Sequence, residues 1–598
     1  MKTVIFSVFA LFSAAVMAAN PLELTCYNQS FSVTFPSVEA AQKAQLVPRR
    51  LPEKFDVAFS SRWDDGTMSH LNTHKIMSKY GAKGNFFVGS HMAADTPVLE
   101  HIVKNGCLVG VHTVGHHPMK YLTANCHFYQ YMANRIALEV KSQTPVNTQA
   151  SPYGHNNGVK KDGTRSIGKS VLATGIIGSL DGNSVDHIKA WGFPENGCSF
   201  VYRVVPGDRV PDMKKLEQQL AAYMKNPDFK KNPTISMSTH SWHTKEGLVI
   251  LDEIYKKFSL NKNWWNCNQN EFAAYTYETL NTEVKKEVTG KTVKFTVLRF
   301  EPFELGADVP LYFDITGESA VFVEGAELAD GGKQIKAKHA DGHSLPSKYG
   351  YLKLDKVTLK LAVSENDGKI TAVVNNESGK VLSNVTYIFR KPPMYAKVVE
   401  RVAKESVQQG DTVCVETGKV TGKSRHFQIG KPYYAVQMDY TIDGKRHRLY
   451  ADTFTAERSC KVKTIGDAAI FIQRTKNNTI DAKKLSLPET SLKGMKSVAP
   501  QKDIFCAEGT VYPGKNLTYP GYIAIVDIQS DSEQNLKISY RIDKQSRFFF
   551  NGTEMPKKRG AVLQFKKGIN RLVIEGSRGS SHIFSIKGKV NYITPETK

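Results

Sequence analysis

Apolar and polar positions follow two different patterns along the chain, and the change comes near residue 285. Before it, short apolar runs alternate with stretches of helical period; after it, apolar residues tend to recur at every second position. Alternating strands and helices predict a parallel sheet or a (β/α) barrel, whose reactive side chains lie at the carboxyl ends of the strands. The predicted strands of this first part are 55–60, 85–88, 107–111 and 235–239, with a helix over 68–80 that ends at Gly81.

The second part has the period-two pattern of half-buried antiparallel strands. The clearest series are Val293, Phe295, Val297 and Leu536, Ile538, Tyr540, Ile542. Asn551-Gly552 lies between aromatic residues and Thr553, which predicts a two-residue hairpin turn.

Boundaries inside the second part are predicted at Lys391-Pro392-Pro393 and in the segment 493–500. They divide it into three β units of about 100 residues each, a common domain size. The chain of 598 residues is therefore expected to be multidomain. The predicted domains are 51–285, 286–392, 393–497 and 498–598.

The first residues have the pattern of a secretory signal peptide. Lys2 is followed by an apolar run over 4–16 and by the small residues Ala18 and Ala19. We therefore expect a signal peptide over 1–18, an N-terminal segment over 19–50, and a secreted or periplasmic protein. No later apolar run reaches the roughly 18 residues of a membrane-spanning helix, so no transmembrane segment is expected.

Composition changes this picture in one respect. The chain has 80 Lys and Arg against 57 Asp and Glu, a net charge of +23. In an exported protein this charge does not favour nucleic acid, and it leaves anionic polysaccharide, wall polymer or lipid as partners. Basic clusters such as Lys445-Arg446-His447-Arg448 place part of the charge in the β units, which suggests that they hold the protein near an anionic matrix glycan; the alternative is a solvated basic surface.

Cysteine and tryptophan are informative through their positions. Eight cysteines follow the signal, five in the first half and three in the second, and we read them as structural, with several free. All five tryptophans lie in the first half. Trp63 and Trp242 adjoin polar motifs and could either stack on sugar rings or pack in the core, whereas Trp264 and Trp265 are expected to be structural.

Two motifs combine carboxylates and histidines at predicted strand ends. Asp64-Asp65 follows the first strand, and because adjacent side chains on an extended chain diverge, one carboxylate can bind a metal while the other acts as a base. His112 and His116 follow the strand 107–111. They can converge on one cation such as Zn²⁺ if the residues between them form a helical turn.

Two further motifs are weaker. Ser151-Pro152-Tyr153-Gly154 predicts a tight turn with an available Tyr153 main-chain N–H, and His240 ends the strand 235–239. Each motif by itself also has an ordinary interpretation, as a solvated turn or a hydrogen-bonded histidine.

The order and placement of the four motifs over roughly residues 51–283 resemble the NodB-type polysaccharide deacetylases, carbohydrate esterase family 4. The resemblance implies a distorted (β/α) barrel followed here by all-β sandwich-like modules, and a divalent metal, usually zinc. It further implies that the metal ligands are Asp65, His112 and His116, that Asp64 is the base, that the Tyr153 N–H holds the oxyanion, and that His240 is the acid. His117 is expected to be a neighbour of the ligands, and Asp181 a supporting acidic residue.

The sequence lacks one arginine that the family pattern usually has. Family members usually have an arginine a few residues before the Pro-Tyr-Gly turn, where this chain has Thr148-Gln149-Ala150-Ser151. Arg62-Trp63 also replaces the usual Thr-Phe before Asp64. We hypothesise that Arg62 supplies the missing charge, since an opposite charge within about 4–6 Å keeps a carboxylate ionised.

These motifs predict a secreted, metal-dependent deacetylase that removes N- or O-acetyl groups from a polysaccharide, with Trp63, Trp242 and Arg62 as candidate substrate-binding residues. The alternative is a glycan-binding or adhesive protein built on a degenerate, inactive deacetylase domain. The retention of both carboxylates and both histidines favours the enzyme, and the missing arginine favours the alternative.

Overall fold

The computed structural model describes residues 24–65, 68–90, 96–104, 106–116, 124–152, 171, 173–176, 178–179, 200, 202–302, 309–339, 356–364, 369–392, 399–417, 433–454, 463–464, 469–473, 481–493, 510–511, 521–541, 546–556, 560–577, 582–587 and 590–593. The expected signal peptide over 1–18, His117, Tyr153 and Asp181 lie outside these residues. No helix in the described part of the chain has the length and apolarity that crossing a membrane requires.

The first half of the chain alternates strands with helices, as its pattern predicts. In chain order its elements are β1 Leu24–Thr34, α1 Val38–Lys43, β2 Gln45–Pro48, β3 Val57–Asp64, α2 Ser69–Lys79, β4 Asn85–Val88, α3 Thr96–Lys104, β5 Leu108–Val111, α4 Ala124–Ser142, β6 Thr148–Gln149, β7 Gly178–Ser179, β8 Tyr202–Val204, α5 Met213–Met224, β9 Thr234–His240, α6 Lys245–Ser259, β10 Trp264–Asn266 and α7 Gln269–Asn281. A 3₁₀ helix spans Pro227–Lys231.

Eight of these strands form one parallel sheet, in the order β7-β6-β5-β4-β3-β9-β8, with β10 also paired to β3. Every side chain of β3 is buried, as expected of a strand covered on both faces. In the described residues β7 and β8 are not paired with each other, so the predicted barrel is an open half-barrel. Its carboxyl edge carries the ends of β3, β5 and β9.

The end of α2 and the start of α7 show why the sequence folds locally as it does. Gly81 adopts a φ of +63°, which a glycine tolerates freely, and the helix α2 ends two residues before it, close to the predicted end. At α7, the Asn268 side chain accepts the Glu271 N–H while the Glu271 side chain accepts the Asn268 N–H. This capping box satisfies two donors that the first turn leaves open.

The first β unit includes the N-terminal segment. It comprises β1, β2 and β11 Glu283–Thr289, β12 Thr292–Pro302, β13 Leu311–Thr316, β14 Phe322–Glu324, β15 Glu327–Ala329 and β16 Gln334–Ala337, in the sheets β11-β12-β1-β14 and β15-β16-β13-β2. Phe31, Phe295 and Phe313 share its core with apolar residues of α7. The segment 19–50 is thus not a separate unit in its described part, because β1 and β2 pair with strands more than 250 residues later, which no local pattern reveals.

The second β unit has two antiparallel sheets around one core. They are β17-β18-β21 and β20-β19-β22-β23, formed by β17 Val357–Val363, β18 Ile370–Asn376, β19 Leu382–Arg390, β20 Val399–Val407, β21 Thr412–Glu416, β22 Tyr433–Ile442 and β23 Lys445–Phe454. The boundary expected at 392/393 falls instead between β19 and β20, which are neighbours in one sheet. Proline ends a strand both at a connection within one sheet and at a linker between domains. Pro392-Pro393 therefore does not distinguish a connection from a domain boundary.

The third β unit begins before the expected 497/498 boundary, since β24 and β25 pair with strands that lie beyond it in the sequence. Its elements are β24 Lys463–Thr464, β25 Ala469–Gln473, α8 Ala482–Leu485, β26 Thr510–Val511, β27 Gly521–Ser530, β28 Gln534–Arg541, β29 Arg547–Phe550, β30 Thr553–Glu554, β31 Gly560–Phe565, β32 Gly568–Ser577, β33 His582–Lys587 and β34 Asn591–Ile593. The predicted turn at Asn551-Gly552 is confirmed: both residues have positive φ, and Phe550 pairs with Thr553 across it.

The basic cluster Lys445-Arg446-His447-Arg448 is only partly a surface. His447 and Arg448 are each 3% exposed, and Arg448 forms an ion pair with Asp439. His447 and Arg448 are adjacent and their side chains point to opposite faces of β23, so both faces of the strand are covered here. Half of this cluster is therefore not available to an anionic glycan.

Among the described cysteines, Cys107 and Cys267 are buried free thiols and Cys414 is an exposed one. This agrees with the interpretation that several cysteines are free.

Candidate metal centre

The polar motifs meet at the carboxyl edge of the half-barrel. Asp64 is the last residue of β3, His112 follows β5, and His240 is the last residue of β9. The strand β3 lies directly beside β9, and β4 separates it from β5. Because these strands are parallel, their carboxyl ends lie at the same edge, as the sequence predicts.

Two histidines converge on one carboxylate there. The Nε2 atom of His112 lies 3.1 Å from Asp65 Oδ1, and the Nε2 atom of His116 lies 3.0 Å from the same oxygen. The ligand atoms of all three residues fall within 4.8 Å of one another. His112 is buried, and Asp65 and His116 are partly exposed.

The chemistry of these three side chains fits a divalent cation. His112 Nδ1 lies 2.7 Å from the carbonyl oxygen of Ala150; donating its proton there leaves the Nε2 lone pair directed at the cluster. Burial would raise the pKa of Asp65, but the His112 and His116 rings beside its carboxylate outweigh this effect and lower that pKa well below its usual value. One anionic oxygen and two imidazole nitrogens are ligands typical of Zn²⁺.

The two histidines reach the cluster through a loop and not through the helical turn that their spacing predicts. Thr113 and His116 have φ values of +67° and +53°, and Asp65 has one of +75°. Non-glycine residues adopt this left-handed region at a cost, so surrounding contacts must hold them there. The His116 N–H donates to Thr113 Oγ1 at 3.1 Å, and helix α4 supplies further acceptors for this loop.

Asp64 is separated from the cluster and paired with Arg62. Arg62 Nε lies 2.8 Å from Asp64 Oδ1, and Arg62 Nη2 lies 2.5 Å from Oδ2, with both residues buried. Burial would raise the pKa of Asp64, but the charge of Arg62 and its hydrogen bonds outweigh this effect and lower that pKa below its usual value. Arg62 thus lies where the hypothesis of a replacement cation requires, and it is not exposed for substrate binding.

The two candidate tryptophans differ. Trp63 is fully buried against His243 and Tyr255, so it packs in the core and cannot stack on a sugar. Trp242 is 45% exposed, and its ring stacks on His240 with centroids 4.1 Å apart and planes 8° apart. Trp264 packs between Phe59 and Phe258, as expected of a structural residue.

Asp208 is a site residue that the sequence did not reveal. Its Oδ1 accepts the His240 backbone N–H at 3.1 Å and lies 3.0 Å from His240 Nδ1, while His240 Nε2 lies 3.6 Å from Asp65 Oδ2. Asp208 therefore orients the ring so that Nε2 faces the cluster. It follows β8, a strand of three residues that is too short to detect from periodicity.

His70 is a second residue that the motifs did not include. It is fully buried in α2, and its Nδ1 lies 2.5 Å from the Oγ atom of Ser241, next to His240. Burial lowers its pKa to about 3, so the ring is neutral at ordinary pH. It anchors the segment that carries His240.

A comparison with family models gives a match over the part of the chain that carries the candidate metal ligands. Residues 57–172 match the family model described as polysaccharide deacetylase, and no curated protein matches the chain. Similar solved structures include the peptidoglycan deacetylase PdaC from Bacillus subtilis, at 17% identity over 37% of this chain and 91% of that chain, with a TM-score of 0.26. A family 4 carbohydrate esterase from Streptomyces lividans in complex with acetate has 13% identity over 36% of this chain and 90% of that chain, with a TM-score of 0.24. A CE4 family pseudoenzyme from Bacillus anthracis has 18% identity over 37% of this chain and 66% of that chain, with a TM-score of 0.24.

The family match covers Asp64, Asp65, His112 and His116, the residues that the half-barrel brings to one edge. Residues 57–172 therefore belong to a polysaccharide deacetylase domain, in agreement with the resemblance that the four motifs carry.

Proposed function

We propose that this domain hydrolyses acetyl groups from a polysaccharide with the help of a divalent cation, most simply Zn²⁺, held by Asp65, His112 and His116. The observation that carries the proposal is the division of labour between two adjacent carboxylates. Asp65 lies beside both imidazoles, whereas Asp64 is not part of that cluster and pairs with Arg62. A cation bound at such a site polarises the acetyl carbonyl and lowers the pKa of a water molecule.

Asp64 is the proposed base. Its carboxylate is kept ionised by Arg62 and therefore can accept the proton of the attacking water. The family pattern assigns this tuning to an arginine that is absent from 148–151. Arg62 reaches the same carboxylate from within β3, which supports an active domain.

His240 is the proposed acid. Asp208 binds Nδ1 and the backbone N–H of His240, so Nε2 is the atom that can deliver a proton to the departing amine or alcohol. The Tyr153 N–H, outside the described residues, is proposed to hold the oxyanion. Trp242, exposed beside His240, is proposed to contact the sugar.

The alternative is a binding or adhesive protein with an inactive domain, and one of the similar structures is indeed a pseudoenzyme. The two functions are separated by measuring acetate release from a panel of N-acetylated and O-acetylated glycans by the zinc-loaded full chain. Release from at least one glycan supports the enzyme. Binding of a glycan with no release from any of them supports the alternative.

Arg62 is expected to matter for stability because it neutralises a buried carboxylate. Replacing Arg62 with Met should lower the free energy of unfolding by about 3–5 kcal/mol, since it leaves Asp64 buried and unpaired. The free energy of unfolding of Arg62→Lys should lie between those of the wild type and Arg62→Met, because lysine keeps the charge but not the bidentate geometry. Urea denaturation of the full chain measures both changes.

A matched control for this prediction is Arg547→Met. Arg547 pairs with Glu554 on the surface of the third β unit, where an exposed ion pair contributes only about 0–1 kcal/mol. An Arg62→Met protein as stable as the Arg547→Met protein would contradict the proposed pairing.

A further inference from the structure

Helix α4 is the element that holds the loop of the candidate metal centre. Asn134 Oδ1 accepts the His112 N–H at 2.9 Å, and Gln130 Oε1 accepts the Gly115 N–H at 3.0 Å. The Gln130 carbonyl also accepts the Val114 N–H at 3.1 Å. Asn134 and Gln130 are fully buried. Three of the five backbone N–H groups over 112–116 thus donate to two residues of one helix.

The same helix also supports the turn that precedes Tyr153. The Tyr131 hydroxyl lies 2.6 Å from Ser151 Oγ, and both groups are buried. A small displacement of α4 would therefore move the metal-binding loop and Ser151 together.

Other side chains of α4 pack against the second β unit. Phe128 and Met132 share a buried cluster with Tyr433 and Ala435 of β22. Tyr129 adds ring contacts at centroid distances of 4.9 Å to both Tyr433 and Phe454. This is a continuous apolar interface between the helix and the sheet β20-β19-β22-β23.

A buried charge network completes the interface. Glu139, near the end of α4, is fully buried; its Oε1 accepts from Arg135 Nε at 3.0 Å and from the Val146 N–H at 2.8 Å. Its Oε2 accepts from Arg448 Nη1 at 3.3 Å and from the Tyr450 hydroxyl, both on β23. Arg448 in turn pairs with Asp439, so two cations face two carboxylates across the boundary.

We propose that the second β unit, residues 357–454, acts as a buttress for the metal centre, with Arg448 and Tyr450 as positioning residues that act through Glu139 and helix α4. This inference rests on the proposed metal site of the deacetylase domain. The left-handed conformations of Thr113 and His116 need surroundings that over-determine them. The half-barrel supplies part of these surroundings and the β unit supplies the rest, by fixing the helix from its other side.

The first test is zinc affinity, measured on the full chain by competition with a chromophoric chelator. Arg448→Met should weaken zinc binding about 10-fold, the lower end of the range for partners that orient metal ligands. Adding Asp439→Asn to this variant removes the buried carboxylate that has lost its cation and should restore part of the affinity. Lys404→Met, which removes an exposed cation from β20 of the same unit, is the control and should bind zinc as the wild type does.

The second test needs no metal and uses a milder variant. Tyr450→Phe keeps the ring and removes only the hydroxyl that donates to Glu139. Hydrogen exchange of the Val114 and Gly115 amides in the metal-free chain should become several-fold faster than in wild type, while amides of the half-barrel strands β3 and β9 keep their rates.

Unchanged exchange at Val114 and Gly115 in Tyr450→Phe, or wild-type zinc affinity in a folded Arg448→Met chain, would overturn the buttress. Failure of the wild-type chain to bind zinc would instead contradict the proposed function. The exchange experiment would then still decide whether the β unit positions the loop.

Discussion

Replacing Asp64 with Asn is expected to lower the rate of acetate release about 1,000-fold, within the usual range for removing a general base, and to leave zinc affinity close to that of the wild type. The amide has the size of the carboxylate but cannot accept the proton of the attacking water. Zinc binding is expected to persist because the cluster of Asp65, His112 and His116 does not include Asp64. Acetate release and chelator competition on the same preparations measure the two quantities.

The matched control is Asp252→Asn. Asp252 belongs to α6 and pairs with Lys79 on the surface of the same domain, so its loss should leave the rate unchanged. Two results would count against the assignment. A wild-type rate in Asp64→Asn would place the base elsewhere, and loss of zinc by that variant would show that the adjacent carboxylates do not have separate roles.

Removal of zinc is expected to abolish acetate release and to lower the thermal midpoint of the deacetylase domain. A ligand at 100 times its dissociation constant stabilises the folded state by about 2.7 kcal/mol. For a domain of 150–250 residues this corresponds to a midpoint shift of roughly 5–11 °C. The chain should show this shift when zinc is added back after chelation, and differential scanning calorimetry resolves it from the transitions of the β units.

His116→Ala should abolish both the shift and the activity, because it removes one of the three ligands. His101→Ala is the control, since His101 is an exposed histidine of α3 that contacts His74 and not the cluster. A zinc-induced shift of full size in His116→Ala would mean that the stabilising cation binds somewhere other than at this cluster.

The sequence predicts the candidate site well where each residue follows its own strand. Asp64, His112 and His240 are each marked by an apolar run just before them, and parallel pairing alone then brings them to one edge. The loop that joins His112 to His116 was not predictable in the same way. Its left-handed turns depend on side chains of α4, which are 15 to 22 positions away along the chain.

Other differences have the same physical origin. Trp63 adjoins the catalytic motif, but the fully buried strand β3 turns its ring into the core. Asp208 lacks a recognisable strand before it, and Arg448 looks like surface charge until β22 and α4 supply its buried partners. Strand boundaries and local turns follow from local composition, whereas domain limits follow from which distant strands pair, as the connection between β19 and β20 shows.

The pairing of β1 with β12 has a consequence for the order in which the chain is built. Thr34 and Thr292 are 258 residues apart, and the whole half-barrel lies between them. During synthesis β1 leaves the ribosome first but has no partner until β12 follows. The half-barrel is complete in sequence by the end of α7, before β12 exists. Its parallel sheet can therefore assemble on the ribosome while β1 is still unpaired. Pairing of β1 with β12 then connects the two ends of the folded half-barrel domain.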